Sequence, residues 1–187
     1  MGLIGIKKKQ HVMIDFETLG TNCDSVILSF GAVPFNMDGT TNTGFEFYPD
    51  VQSQLENRKV SWSSVEWWFN QNDAVRRDQA EAQRLFPLEY WLESFSNWCQ
   101  ENLEDKFKIW SNGAAMDIAL LRHAMIQHNI KIPWSHKCEY DTRTMVYMSK
   151  ISVNKYDTGE TKHNALNDCN WQISWLVDAY KILRGDY

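Results

Sequence analysis

An α/β fold, a central mixed β-sheet flanked by α-helices, is the architecture this sequence predicts, on three observations. Short apolar runs alternate with turn residues through the first third of the chain. A helical period takes over near Ser61, and one later strand then feeds straight into a helix. Strands first, a strand–helix unit next and helices last is an order that one sheet covered by helices accommodates. With 187 residues the chain suits a single domain, 1–187, with its core at about 11–183.

The elements follow in order. "HVMIDF" is the first strand, "SVILSFGAVPF" a second with near-continuous apolar character, and "GFEFYPD" a third. "GTNCD" and "NMDGTTN" supply the Gly, Asn and Asp of the turns between them. From Ser61, "SWSSVEWWFNQNDAVRRDQAEA" reads as one helix with Ser63 or Ser64 as N-cap. After Pro87, the residues Leu88, Trp91, Phe95 and Trp98 recur at three- and four-residue steps, one apolar face of the next helix. "KFKIWSNG" is a short strand leading into the helix "AAMDIALLRHAMIQHN", with Asp117 early in it. "YDTRTMVYMSK" reads as a further helix starting near Asp141 or Thr142, and "NKYDTGETKHN" as a loop. The last helix, "ALNDCNWQISWLVDAYKILRG", puts Leu166, Asn170, Ile173, Val177 and Tyr180 on one face and stops at Gly185.

The net charge of -5 is the wrong sign for holding polyanions by bulk electrostatics, so any nucleic-acid role needs local patches or bound cations. Nine Trp is a high count, and a large core is the first explanation. The four Cys, at 23, 99, 138 and 169, are scattered without CxxC pairing, which suits free thiols in a reducing compartment, the cytoplasm. "MGLIGIKKKQ" carries its charges after a short apolar piece, the reverse of a secretory signal, and no run is long enough to span a bilayer, so no membrane association is expected.

Within "HVMIDFETLG" two carboxylates interrupt an apolar run. Residues two apart in a strand share a face, so Asp15 and Glu17 sit side by side with Phe16 turned away. Like charges that close repel unless a positive charge sits between them. Alone, the pair could mark a strand running out into solvent, and Asp117 and Asp168, each early in a helix, could simply complement the helix dipole. Together the four acids lie where α/β folds gather their active sites. Clustered hard oxygens are what Mg2+ or Mn2+ prefers, and two such ions can clamp both oxygens of a phosphodiester. His163, five residues before Asp168, has the chemistry of a general base at neutral pH, or is a surface histidine in a loop. His11, His123, His128 and His136 are read as surface histidines.

"DFE" at 15–17, "NGAAMD" at 112–117 and "HNALND" at 163–168 resemble, in order and spacing, the three motifs of the DEDDh family of 3'-5' exonucleases, which have a ribonuclease H-like fold. "WW" at Trp67 and Trp68, after "FGAV" and a third strand, is similar to the smaller subgroup of RNase AS-like exoribonucleases and a phage-type single-strand deoxyribonuclease. The resemblance implies a hydrolase that shortens single-stranded DNA or RNA from a free 3' end and releases nucleoside 5'-monophosphates. By resemblance Asp15, Glu17 and Asp168 hold the ion that binds the attacking water. Asp15 and Asp117 serve a second ion near the leaving oxygen, and His163 is the base. Several relatives are homodimers, an assembly open to this chain as well. The family wedges an apolar residue against the terminal base just past the DxE pair, which points to Phe16, Thr18 and Leu19. Trp62, Trp67 and Trp68 are further candidates for base stacking, although at least one of the adjacent pair is expected to pack inward.

Among the basic residues that could follow phosphates, Lys162 beside His163 is preferred over Lys7, Lys8, Lys9, Arg76, Arg77, Arg143 and Lys155. Two other readings share the fold. A catalytically silent nucleic-acid-binding module would lack at least one acidic ligand, and none is missing. Another phosphodiesterase on the same scaffold would cut differently, for example internally.

Overall fold

Two-residue alternation along the first strand, β1 (Lys9–Thr18), sorts its side chains between two helical layers. Val12, Ile14 and Phe16 join a core with Phe30, Phe95, Leu120 and Met125. Met13 packs on the opposite face with Cys169, Ile173 and Leu176. The computed structural model describes residues 7–156 and 163–186. It centres β1 in a five-stranded sheet with β2 (Ile27–Phe35), β3 (Phe45–Phe47), β4 (Leu103–Ser111) and β5 (Glu139–Asp141), in the order β3-β2-β1-β4-β5. β1 is antiparallel to β2 and parallel to β4, and β5 is parallel to β4, so the sheet is mixed, as expected. The carboxyl ends of β1, β4 and β5 therefore share one rim, the edge at which open α/β sheets bind ligands.

Among the described residues, six α-helices flank the sheet: α1 (Trp62–Phe69), α2 (Asp73–Glu81), α3 (Leu88–Asn102), α4 (Asp117–Gln127), α5 (Thr142–Ser149) and α6 (Ala165–Arg184). The single helix expected from Ser61 is two. Asn72 adopts an extended backbone and its side chain accepts from the Val75 N–H, which caps a fresh start. Ser61 rather than Ser63 or Ser64 holds the N-cap position of α1. On α3 the buried face is Leu88, Leu92, Phe95 and Cys99, with Trp91 and Trp98 half-buried at its border. The face of α6 is partly as expected: Ile173 and Val177 are buried, but Asn170 is exposed and Ala165, Cys169, Gln172 and Leu176 are buried as well. Strand β5, which the sequence reading merged into the following helix, is three residues long and shows no period of its own. α6 stops as expected at Gly185, whose φ of 76° is left-handed.

Part of the aromatic excess is core. Phe47 stacks on Trp91 at 5.6 Å and Phe95 on Trp98 at 5.8 Å between centroids. One glycine positions the site. Gly31 pairs opposite Asp15, and a Cβ there would meet the Ala165 backbone at 2.5 Å. Having no side chain, it lets the start of α6 lie directly on the sheet, with Asp168 one turn further on. The four cysteines are free thiols. Among the described residues, no helix is long and apolar enough to cross a membrane.

Candidate active site

Asp15 and Glu17 leave the polar face of β1 and point toward α6. Asp15 Oδ1 accepts a hydrogen bond of 2.7 Å from Gln172 Nε2 on that helix. Asp168 occupies the first turn of α6, and its Oδ2 accepts from the His163 backbone N–H at 3.2 Å. His163 sits in the left-handed region at φ 67° immediately before the cap residue Asn164. The Asn164 side chain accepts from Asn167 N–H at 3.0 Å, while its amide group faces Glu46 Oε1, Tyr48 OH and Asp78 Oδ2 at 3.3 to 3.4 Å. One residue thus ties the His163 turn to β3 and α2. Possible ligand atoms of Glu17, His163 and Asp168 all lie within 4.8 Å of one another.

Asp117 is the first residue of α4, just past the loop Asn112–Met116 that continues from β4. Asp141 secures that loop. Its Oδ2 accepts from Ala114 N–H at 2.9 Å, and its Oδ1 caps α5 through Thr144 N–H at 2.8 Å. Gly113, at φ 133°, gives the Arg143 guanidinium room to lie against the backbone, 3.5 Å from where a Cβ would be. All five sequence-predicted residues, Asp15, Glu17, Asp117, His163 and Asp168, line one cavity of about 500 Å³ together with Arg143, Trp171, Gln172 and Trp175.

Burial and mutual repulsion set the electrostatics. Burial first, then the charges of Asp117, Glu17 and Asp168, push Asp15 well above the usual carboxylate range, with the Gln172 hydrogen bond opposing. Glu17 is pushed up to about 8 by burial, then by Asp168, Asp117 and Asp78. Burial takes Asp117 to about 7, against the pull of nearby groups that include the Arg143 cation. Three carboxyls pushed above their ordinary range beside a fourth, Asp168, make a site short of positive charge. Their hard oxygens suit a divalent cation that would replace the held protons.

The residues expected to touch substrate are placed less uniformly. Phe16 reaches the cavity but is mainly core, packed on Phe30 at 4.6 Å. Thr18 is buried and spends its hydroxyl on Gly20 O at 2.5 Å. Leu19 packs against the cluster of Leu28, Trp68 and Val75, outside the acidic cavity. Lys162 lies outside the described residues. Of the adjacent tryptophans, Trp68 turns inward and donates to Thr18 O at 2.9 Å. Trp67 is 41% exposed and meets the His163 ring edge-to-face at 4.7 Å. It also lines a second cavity that adjoins the first through Phe16, Glu17 and Met116. Gln172, Asn164 and Gly31 escaped the sequence reading. Gln172 had a usable signal, since it lies four residues after Asp168 on one helix face.

Residues 10–179 match the family described as the 3'-5' exoribonuclease Rv2179c-like domain. The exodeoxyribonuclease of Enterobacteria phage T4 is 24% identical over 119 residues, which cover 58% of this chain and 52% of that protein. The zinc-bound complex of E. coli ExoI with single-stranded DNA superposes with a TM-score of 0.68 at 12% identity, over 95% of this chain and 42% of its own. The nuclease domain of 3'hExo, a DEDDh family member bound to rAMP, superposes with a TM-score of 0.57 at 15% identity, over 93% and 92% of the two chains. The architecture is thus ribonuclease H-like, and the chain spans about half the length of the phage protein and less than half of ExoI.

Proposed function

The chain belongs to the Rv2179c-like 3'-5' exoribonuclease domain family, and on that footing we propose that it is a divalent-metal-dependent exonuclease. It shortens single-stranded nucleic acid from a free 3' end and releases nucleoside 5'-monophosphates, as a single domain working in the cytoplasm. The observation that carries this reading is the convergence of Asp15, Glu17, Asp117, His163 and Asp168 on one cavity.

Asp15, Glu17 and Asp168 would hold one Mg2+ or Mn2+, and Asp15 with Asp117 a second. When bound, the ions supply a nucleophile from water at neutral pH and neutralise charge on the leaving oxygen. The chain's own groups do the rest. The His163 imidazole takes the proton of the attacking water at its unprotonated ring nitrogen, its backbone held by Asp168 and its ring bordered by Trp67. Asn164 fixes the turn from which His163 projects. Arg143, the one cation lining the cavity among the described residues, faces the strand's phosphates. A cavity that holds four acids admits a polyanion only with cations in place, which favours an end seated by metal over tight binding along a duplex.

The test is a time course on 5'-labelled DNA and RNA oligonucleotides and on a circular single strand, in Mg2+, Mn2+ or chelator. A ladder shortening from the 3' end is expected, with the circle intact and Asp15→Ala inert. The difference between the DNA and RNA ladders gives the sugar preference. Activity in chelator, or cutting of the circle, would overturn the proposal.

A further inference from the structure

Gln172 presents a polar group that the protein itself leaves half satisfied. The residue is only 4% exposed and lines the cavity one helical turn beyond Asp168. Its Nε2 donates to Asp15 Oδ1 at 2.7 Å. The nitrogen is the donor end of the amide, so this bond turns it toward Asp15 and the oxygen the other way. That oxygen, Gln172 Oε1, is buried and has no hydrogen-bond partner. Buried acceptors are rarely left without a donor, because the lost hydration is not recovered. Once a cation has displaced their protons, the acids that line the cavity, Asp15, Glu17 and Asp168, only accept, so none of them supplies that donor.

We propose that Gln172 is a positioning residue of the metal site, its amide N–H orienting Asp15 and its carbonyl oxygen accepting a hydrogen bond from the hydration water of the bound cation. The inference rests on the metal-dependent reading above and adds a residue to it. Two consequences follow from the geometry. In the metal-free protein the amide is the partner that relieves Asp15 in a crowd of like charges. In the loaded protein it steers one ligand and anchors the hydration shell, as outer partners of metal ligands commonly do.

Calorimetric titration of Mn2+ into the full chain tests this, alongside melting curves recorded in EDTA. Wild type is expected to bind Mn2+. Gln172→Leu, close in volume but unable to donate or accept, is expected to stay folded in EDTA yet bind Mn2+ about tenfold more weakly. Gln172→Glu keeps the shape but turns a donor to Asp15 into a fifth negative charge. Its melting temperature in EDTA should fall, and Mn2+ should raise it by more than in wild type. Unchanged Mn2+ affinity in Gln172→Leu, as would follow if the oxygen served a nucleotide hydroxyl instead, overturns the proposal. Should the Leu variant not fold, a Gln172→Glu response to Mn2+ equal to that of wild type overturns it equally. Wild type that binds no Mn2+ would remove the parent reading as well, whereas a binding wild type with indifferent variants removes this inference alone.

Discussion

The two faces of β1 run the same backbone into opposite chemistries. Toward α3 and α4, Val12, Ile14 and Phe16 are buried among aromatic and aliphatic side chains. Toward α6, Met13 begins an apolar patch that gives way to Asp15 and Glu17. Burial stabilises the first face, with each large apolar side chain contributing about 1.5 to 3 kcal/mol. On the second face burial works against the charged groups and pushes Glu17 up to about 8. The same strand thus carries both the fold's stability and a site whose buried carboxyls cost stability. The α6 face is affordable because the α3 and α4 face is so well packed.

Removing a charge on one face and a ring on the other should separate the two roles. Asp15→Ala is expected to lower kcat on the order of 10^4-fold, the scale of losing one member of a catalytic unit, in a protein that still melts cooperatively. Phe30 touches Phe16, Phe47 and Phe95. Its replacement by Ala should cost about 3 to 5 kcal/mol in denaturant unfolding while the folded fraction keeps its metal-dependent activity. A chain in which Asp15→Ala unfolds and Phe30→Ala does not would reverse the comparison.

Gly31→Ala acts on the join between the faces. Its Cβ would displace the Ala165 backbone and carry Asp168 with it, so kcat should drop about 100-fold for a shift of about 1 Å. A variant as active as wild type would mean that α6 can settle elsewhere without harm.

The smallest effect is in pH. Carboxyls with raised folded-state pKa hold protons that the unfolded chain has released. Their unfavourable contribution is therefore absent below the ordinary carboxyl pKa of 4.5 and grows as pH rises toward the folded value, about 8 for Glu17. In EDTA the melting temperature should fall between about pH 5 and pH 8, by roughly 2 to 4 °C per kcal/mol of repulsion. Asp15→Asn or added Mn2+ should flatten the slope. A slope that is flat in EDTA would contradict the electrostatic account of the site.

What could be read from the sequence was whatever depends on short-range order. The DxE pair declares itself because alternation is a two-residue rule, and Asp117 and Asp168 because each falls in the first turn of a helix. Gly31 and Asn164 could not be found that way. Each matters only because a distant element comes to rest on it, Ala165 on Gly31, and Glu46, Tyr48 and Asp78 around Asn164. The split of the α1 and α2 region was missed because a polar helix and a capped restart at Asn72 share a composition. The face of α6 is right at Ile173 and Val177 but wrong at Asn170, which fits the apolar spacing while Cys169 and Gln172 are the residues buried there. Trp67 and Trp68 are a milder case, since adjacency showed that they diverge but not which one would turn inward.

Anomalous diffraction from crystals soaked in Mn2+ tests the central claim most directly, because it locates the ion without any assay. The account predicts peaks among the carboxylates of Asp15, Glu17, Asp117 and Asp168, lost in Asp168→Ala. Ordered Mn2+ bound only elsewhere on the chain, with those four side chains unligated, would contradict it.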